Sequence, residues 1–493
     1  MKKKLFFFGI DSATWDLIVP WAKAGKLPGF WKLLKQGSTL DLRSTMPPIT
    51  PVAWPTAMTG VSPAVHGFYD FYRLDASRQI TVNLASELSH AFFWDILSRA
   101  GKKIAVCNLP ITYPFKKVNG IMISGLMTPG IKADFIKPKS LKPEFLKRFP
   151  KFHFAPGTKV SKNDPKSYEL RFKENLEDAR ETARVAKWLF AKDDWDLFAV
   201  NFMAVDHVQH FFWEFMDQPN SPYHDAILKV YQIVDQYLLE VLTKYSDQYQ
   251  IMIFSDHGAG KLEKTVFLNH WLREKGYLYF KNTPLVLMKR LLTNLGFNPE
   301  KLTGLASKLG LVRKAGRIKM QTRNRFLNKL ILSYADLDWH KTRAYSFGMY
   351  GGIFLTQKNK KLLTEILTAL RQDFKKELTF VDSSENIYQT KVLPKTIPNI
   401  QFLLKEGAIV STNIYAFSGN KLFTDPITNK SGEHRINGIL GLYPKTDLKV
   451  TKPCLEDITP TILRFFNEPV PDYCLGQAII DKAESLSIDE IEI

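Results

Sequence analysis

Carboxylates and imidazoles recur at the ends of apolar runs in this sequence, with spacings that suit metal ligation. The clearest group is Asp206-His207-Val208-Gln209-His210, which follows the apolar run Leu197 to Val205. Asp206 and His210 are four residues apart, so a helical turn after that run sets them on one face and directs His207, which is given no ligand role, elsewhere. Asp256 and His257 follow a second run, Gln250 to Phe254. Asp11 follows a third, Leu5 to Ile10, and His434 lies in Ser431-Gly432-Glu433-His434-Arg435 near the other end of the chain. Oxygen and imidazole ligands suit zinc, manganese or iron, and a pair of such ions can clamp the attacking and leaving oxygens of a phosphate ester. Each pair alone is a weak signal, because an Asp/His pair on a helix surface is more often structural. Their recurrence at successive strand ends is what points to a metal centre.

Thr50, in Pro47-Pro48-Ile49-Thr50-Pro51, is the candidate nucleophile. A threonine hydroxyl attacks poorly until a base or a metal favours its alkoxide. The same residue also reads as the N-cap of the run Ala53 to Met58. The two roles are compatible, since the start of a helix presents amide dipoles that favour a phosphoryl group.

The elements that must position these groups follow an α/β pattern. Leu5 to Ile10 reads as a buried strand, followed by a turn and a helix through Leu34, which puts Asp11 at the carboxyl edge where open α/β sheets bind ligands. Ala91 to Ala100 is helical, Lys103 to Cys107 is a strand, and Met122-Ile123 marks a further short edge. Tyr168 to Phe190 carries an apolar face of Leu176, Ala179, Ala183, Ala186 and Leu189. Strands are expected at Leu197 to Val205 and Gln250 to Phe254, and helices at Ser221 to Leu242, around Asn269 to Gly276, and at Thr459 to Phe465. Close turns are expected in the Gly- and aromatic-rich stretch 341–355. The resulting plan is a catalytic core in three parts, 1–129, 196–280 and 336–493, interrupted by a helical cap at 130–195 and a basic helical insertion at 281–335. No repeat suggests a solenoid or propeller.

Composition bounds this reading without producing it. A chain of 493 residues with 45% apolar and 13% aromatic residues can bury a large core and is not disordered. The start, Met-Lys-Lys-Lys and a six-residue apolar run, is broken by Asp11 and reads as a first strand rather than a leader. No stretch supplies the roughly 20 apolar residues of a membrane span. Cys107, Cys454 and Cys474 lack a metal-finger spacing and are too few for a disulfide scaffold. The expectation is a cytoplasmic protein, with peripheral attachment at a membrane left open. The net charge of +19 is concentrated in Lys281 to Ala335, where twelve Lys or Arg stand against one acid, Glu300. There, Arg317, Lys319, Arg323 and Arg325 alternate with Ile318, Met320 and Phe326, a pattern that fits an amphipathic helix on anionic lipid or, more simply, a solubilising face. No nucleic-acid-binding module accompanies it, and no specific nucleic-acid partner is expected.

An ordered set of short motifs carries a resemblance: Phe8-Gly9-Ile10-Asp11, Pro47 through Trp54, Thr59-Gly60, His66-Gly67, Asp206 through His210, Ser255-Asp256-His257-Gly258 and Gly432-Glu433-His434. With these the sequence resembles the type I phosphodiesterase/nucleotide pyrophosphatase family of the alkaline phosphatase superfamily, especially its phosphohydrolase/phosphomutase branch. The resemblance covers most of the chain outside the cap and the basic insertion. It implies an alkaline-phosphatase-like central sheet flanked by helices, and two divalent metal ions, zinc or else manganese. One ion would be held by Asp11, Thr50, Asp256 and His257, and the other by Asp206, His210 and His434. It further implies that Thr50 carries a covalent phosphoryl intermediate that water then cleaves. Where nucleotide pyrophosphatases of the family place a phosphate-contacting Asn after a His-Gly motif, this chain has Phe71. Nucleotide specificity therefore does not carry over simply, and another donor is needed; Lys116 and Lys117 are the candidates. Thr50 favours phosphodiester hydrolysis over a phosphomonoesterase or phosphomutase, whose relatives generally use Ser. An inactive hydrolase fold serving as a membrane-surface interaction protein is the alternative of a different class.

Overall fold

A computed structural model describes residues 4–116, 118–162, 164–295, 331–405, 407–410, 415–419, 421–427 and 429–480. The chain divides into two compact units: Met1–His66 with Leu84–Lys261 and Asn429–Ile493, and Gly67–Asn83 with Leu262–Thr428.

The first unit is built on an eight-stranded sheet. Its strands are β1 (Leu5–Ile10), β2 (Ser38–Arg43), β3 (Ile104–Leu109), β4 (Gly120–Ser124), β5 (Ile136–Lys137), β6 (Leu197–Phe202), β7 (Gln250–Phe254) and β8 (Asn437–Tyr443), in the spatial order β2-β8-β7-β1-β6-β3-β4-β5. The middle of the sheet, β7-β1-β6-β3-β4, is parallel; β8 and β5 run antiparallel at its two sides, and β2 pairs antiparallel with β8 at the edge. Parallel strands covered on both faces must be apolar on both, which explains why β1 is a continuous apolar run rather than an alternating one. Its side chains still alternate in direction. Phe6 and Phe8 pack toward Phe198 and Phe202 on one face, while Phe7 meets Trp54, Phe93 and Phe254 on the other. All six residues of β1 are buried, and each such Phe contributes roughly 1.5–3 kcal/mol by leaving water.

The helices of this unit include α1 (Trp15–Lys23), α2 (Pro28–Gln36), α3 (Thr50–Thr59), α4 (Pro165–Phe190), α5 (Ala204–Phe212), α6 (Ala226–Lys244) and α7 (Ile458–Phe465). The single helix expected through Leu34 is two helices, α1 and α2. The chain turns at Gly25, which has a φ of +75°, and restarts at Pro28, whose missing N–H costs nothing in a first turn. The Asp235 carboxylate of α6 accepts the Gly29 and Phe30 N–H groups at 3.0 and 2.7 Å and so caps α2. The segment expected as a helical cap, 130–195, belongs to the first unit. Within it β5 pairs with β4, and α4 buries Ala179, Val185, Ala186 and Leu189 in the core shared with β1 and β6.

The second unit has its own core and several small sheets. In the largest, Ala344–Phe347, Gly352–Leu355, Ile400–Leu404 and Leu378–Ser383 lie in that order, and the expected turns of 341–355 form the tip of its first hairpin. Leu268–Glu274 and Pro284–Asn294 are helical. Of the basic insertion, Lys289 is buried and donates to both oxygens of Asp336 at 2.9 Å, so its charge is neutralised internally. Arg317, Lys319, Arg323 and Arg325 lie outside the described residues. Among the described residues no helix is long and apolar enough to cross a membrane.

Candidate active site

The carboxyl ends of β1, β6 and β7 lie side by side because these strands are in parallel register, Leu5 opposite both Leu197 and Gln250. Whatever follows each strand therefore meets in one place. Asp11 follows β1 directly, and Ser255-Asp256-His257 follow β7. After β6 the chain enters α5 at Ala204, two residues before Asp206, so Val205 is helical rather than the end of a strand as expected. Asp206 and His210 then fall one turn apart on α5. His434 arrives on a short strand, Gly432–Arg435, paired antiparallel with Gly258–Lys261. Gly432 allows that approach: a Cβ there would lie 2.3 Å from the Gln209 carbonyl oxygen.

Two clusters of potential metal ligands result, Asp11-Asp256-His257 and Asp206-His210-His434, each with its ligand atoms within 4.8 Å of one another. In the second, His434 Nε2 is 3.2 Å and His210 Nε2 is 3.3 Å from Asp206 Oδ1. In the first, His257 Nε2 is 3.1 Å from Asp256 Oδ2 and 3.8 Å from Asp11 Oδ1. The clusters adjoin, since the His257 and His434 rings stack with centroids 3.9 Å apart. All six side chains are buried.

The histidine tautomers fit metal binding. His210 Nδ1 faces the Gly432 carbonyl at 2.9 Å, His434 Nδ1 the Pro48 carbonyl at 3.1 Å, and His257 Nδ1 the Gly258 carbonyl at 3.2 Å. A carbonyl only accepts, so each Nδ1 carries the proton and each Nε2 turns a lone pair into the clusters. The carboxylates fit as well. Trp54 Nε1 donates to Asp11 Oδ2 at 2.9 Å, whereas Asp11 Oδ1 and both oxygens of Asp256 meet no hydrogen-bond donor although buried. Such oxygens are costly unless a cation meets them.

The electrostatics agree. Burial, reinforced by the neighbouring Asp256 and Asp206 charges, holds the Asp11 carboxyl well above the usual carboxylate range. Burial pushes Asp256 up to about 8, with His434 opposing the rise and Asp206 adding to it. Burial also acts against the Asp206 carboxylate, yet His210 and His434 together hold it well below its ordinary value. Burial pulls His210 down to about 4 against the opposing Asp206 charge, whereas for His434 burial is outweighed by the Glu433 and Asp206 charges, which raise it above its ordinary value. A divalent cation would relieve the crowding of these carboxylates and take the place of a proton on the imidazoles that face them.

Thr50 is buried, and its hydroxyl is 3.2 Å from His257 Nε2. It is the first residue of α3 rather than its cap. Ile49 is the extended cap residue, and Pro51 occupies the second position, where no N–H is missed. The hydroxyl is thus not used for capping. His207, given no ligand role, faces α4, its Nδ1 3.7 Å from Asp178. Lys116 is exposed and acts electrostatically on Asp95; Lys117 lies outside the described residues.

Sequence reasoning assigned no role to Trp54, Lys430 or Glu433. Trp54 stands one helical turn after Thr50, a spacing that could have flagged it. Glu433 is buried between the His434 N–H and the Lys430 ammonium, both at 3.2 Å, and Lys430 Nζ is 3.5 Å from His210 Nε2. Burial opposes the Glu433 charge, but Lys430, His210 and His434 hold its carboxyl down at about 2. No pattern in the sequence distinguishes Lys430 from the other lysines.

Among solved structures, alkaline phosphatase PafA is similar at 15% identity and a TM-score of 0.55, with 97% of this chain and 98% of that chain covered. Phosphonoacetate hydrolase from Sinorhizobium meliloti 1021 is similar at 14% identity and 0.52, covering 93% and 94%. Murine ectonucleotide pyrophosphatase / phosphodiesterase 5 is similar at 13% and 0.52, covering 95% and 96%. At these identities the likeness establishes the fold, an alkaline-phosphatase-like α/β sheet flanked by helices. No curated protein sequence matches the chain. The family described as type I phosphodiesterase / nucleotide pyrophosphatase matches residues 5–414, from β1 onward, and the strand bearing His434 lies beyond that match. The match takes in most of the chain, which therefore belongs to the type I phosphodiesterase / nucleotide pyrophosphatase family.

Proposed function

We propose that this protein hydrolyses a phosphodiester through a phosphothreonine formed on Thr50. The observation that carries the proposal is the convergence of three imidazole Nε2 atoms, each fixed by a carbonyl at Nδ1, on buried carboxylates beside a threonine hydroxyl 3.2 Å from His257. Asp11, Asp256, His257 and Thr50 would hold one divalent ion, and Asp206, His210 and His434 the other. Their oxygen and nitrogen donors suit zinc, with manganese next. When bound, such ions supply positive charge for the phosphate and make a hydroxyl easier to deprotonate.

The chain's own groups account for the rest. Burial of Thr50 excludes bulk water from its hydroxyl, and α3 directs its amino-terminal dipole toward the entering phosphoryl group. Thr50 Oγ1 forms a bond to phosphorus as the bond to the departing alcohol breaks; the hydroxyl proton is lost, and the alcohol leaves protonated. Water then cleaves the phosphothreonine, restoring the hydroxyl and releasing a monoester. His257 keeps its Nδ1 proton on the Gly258 carbonyl, and Trp54 holds Asp11 in place. The fold does not choose the ester, because related folds host different reactions. The test is turnover by metal-loaded protein on a panel of nucleotide, sugar-phosphate and glycerophosphate esters, each offered as diester and monoester. Higher kcat/KM on diesters supports this reading. Preference for monoesters favours a phosphomonoesterase or phosphomutase, and inactivity on the whole panel favours a non-catalytic binding role.

A further inference from the structure

In the second unit the helix Pro284–Asn294 is oriented unusually for its composition. Its inward face carries Val286, Lys289 and Thr293, while Leu285, Met288 and Leu291 face solvent, as does Leu295 directly after the helix. The exposed positions step by three, three and four residues, which makes one continuous stripe. They are far from marginal, Leu291 being 60% exposed and Leu295 64%. The buried Lys289–Asp336 ion pair fixes which way the helix faces, since turning the leucines inward would break the pair and leave the buried Asp336 carboxylate without its countercharge.

Beside this stripe is a cleft of about 370 Å³ lined in part by Arg273, Arg290, Lys341, Asn282, Asn294 and Tyr279. Three cations and two amides make it a site for an anion with several acceptor oxygens. The Arg273 guanidinium is held below its ordinary range by burial first and then by the like charge of Arg290. The acid nearest Lys341, Asp338, is no closer than 4.0 Å. In the sequence, residues 296–330 carry nine Lys or Arg against Glu300 alone.

We propose that the Leu285–Leu295 stripe and the adjoining Arg273/Arg290/Lys341 cleft form a docking surface for an anionic lipid bilayer, the stripe entering the acyl boundary and the cleft taking a lipid phosphate. A large apolar face alone would suit a protein partner equally well. A cleft bearing Arg273, Arg290 and Lys341 next to the apolar stripe matches a membrane surface, where acyl chains and anionic headgroups lie side by side. Arg and Lys stems can lie along the apolar boundary while their charges reach the headgroups.

The experiment is vesicle sedimentation of the full chain with phosphatidylcholine alone and with phosphatidylcholine containing phosphatidylglycerol, over a salt series. Three proteins are compared: the parent, Leu285→Ser/Met288→Ser/Leu291→Ser/Leu295→Ser, and Arg290→Gln/Lys341→Gln. The parent is expected to bind the anionic vesicles and to lose binding as salt rises. The stripe variant should bind at least roughly tenfold more weakly at every salt concentration, and the charge variant chiefly at low salt. Circular dichroism and unchanged turnover of a soluble ester certify that the variants are folded. The proposal is overturned if the parent does not bind anionic vesicles or if the stripe variant binds them as the parent does. It is likewise overturned if the parent sediments as a dimer that the stripe variant converts to monomer without a change in vesicle binding, which would assign the stripe to a second copy of this chain.

Discussion

The Trp54 indole N–H donates to one oxygen of Asp11 at 2.9 Å, and the other oxygen of that carboxylate is buried without a hydrogen-bond donor. One side of the carboxylate is thereby fixed and the other left for a cation. Trp54→Phe keeps most of the ring packing against Phe7 and Phe254 but removes the N–H. Outer contacts of this kind change metal affinity by roughly 10–100-fold, and a loss toward the lower end of that range is expected with little change in melting temperature. Metal titration with a competing chelator measures it. Unchanged affinity would show that Asp11 is oriented by packing alone.

Asp11 and His434 come from opposite ends of the sequence and fall in different clusters. Asp11→Asn removes a charge and His434→Gln removes an imidazole lone pair, so each is expected to reduce bound metal as well as turnover. Elemental analysis of folded variants decides the point. Full metal stoichiometry and affinity in both would remove the ligand roles proposed for them.

How much of this arrangement the sequence reveals depends on how local the cause is. Leu5–Ile10 and Gln250–Phe254 are strands with the bounds expected, because a strand buried on both faces is an apolar run closed abruptly by Asp11 or Ser255. The boundary after Phe202 was less visible, since Met203-Ala204-Val205 stays apolar while the backbone changes from strand to helix. Thr50 looks like a cap because Thr commonly is one; that Ile49 takes the cap position depends on the extended backbone before α3. Asp206 and His210 are legible from their spacing, but the Nδ1 contacts of His210 and His434 with the carbonyls of Gly432 and Pro48 span more than two hundred residues. The excursion of Gly67–Asn83 into the second unit leaves no linker-like composition behind it.

His66 provides a pH prediction away from the clusters. It is buried with Nε2 2.9 Å from the Thr56 hydroxyl, and burial, helped by the nearby His90, pulls its pKa down to about 3. As pH falls, the unfolded chain takes up this proton first, near the ordinary histidine value of about 6.5, while the folded chain stays neutral. Its contribution to stability is therefore full above about pH 6.5 and is lost progressively toward pH 3. Denaturant unfolding at pH 7 and pH 5 should show the parent losing roughly 2 kcal/mol more than His66→Gln over that interval. Equal losses would mean that His66 titrates normally in the folded protein.

The proposed mechanism is tested most directly at Thr50. Thr50→Ala removes the attacking oxygen but leaves three carboxylates and three imidazoles in the clusters, so the fold and most metal binding should persist. Turnover is expected to fall by at least roughly 10³-fold, the scale of losing a covalent nucleophile whose surroundings remain. Thr50→Ser retains a hydroxyl and should keep considerably more activity, although without the methyl its rotamer is less restricted. Rapid quench of the parent with a diester labelled on phosphorus, followed by peptide mass spectrometry, should place the label on Thr50. Label on another residue, or near-parent turnover by folded Thr50→Ala, would exclude Thr50 as nucleophile. In that event water must attack phosphorus directly, and Thr50, 3.2 Å from His257 Nε2, would serve only to complete the polar lining of the first cluster.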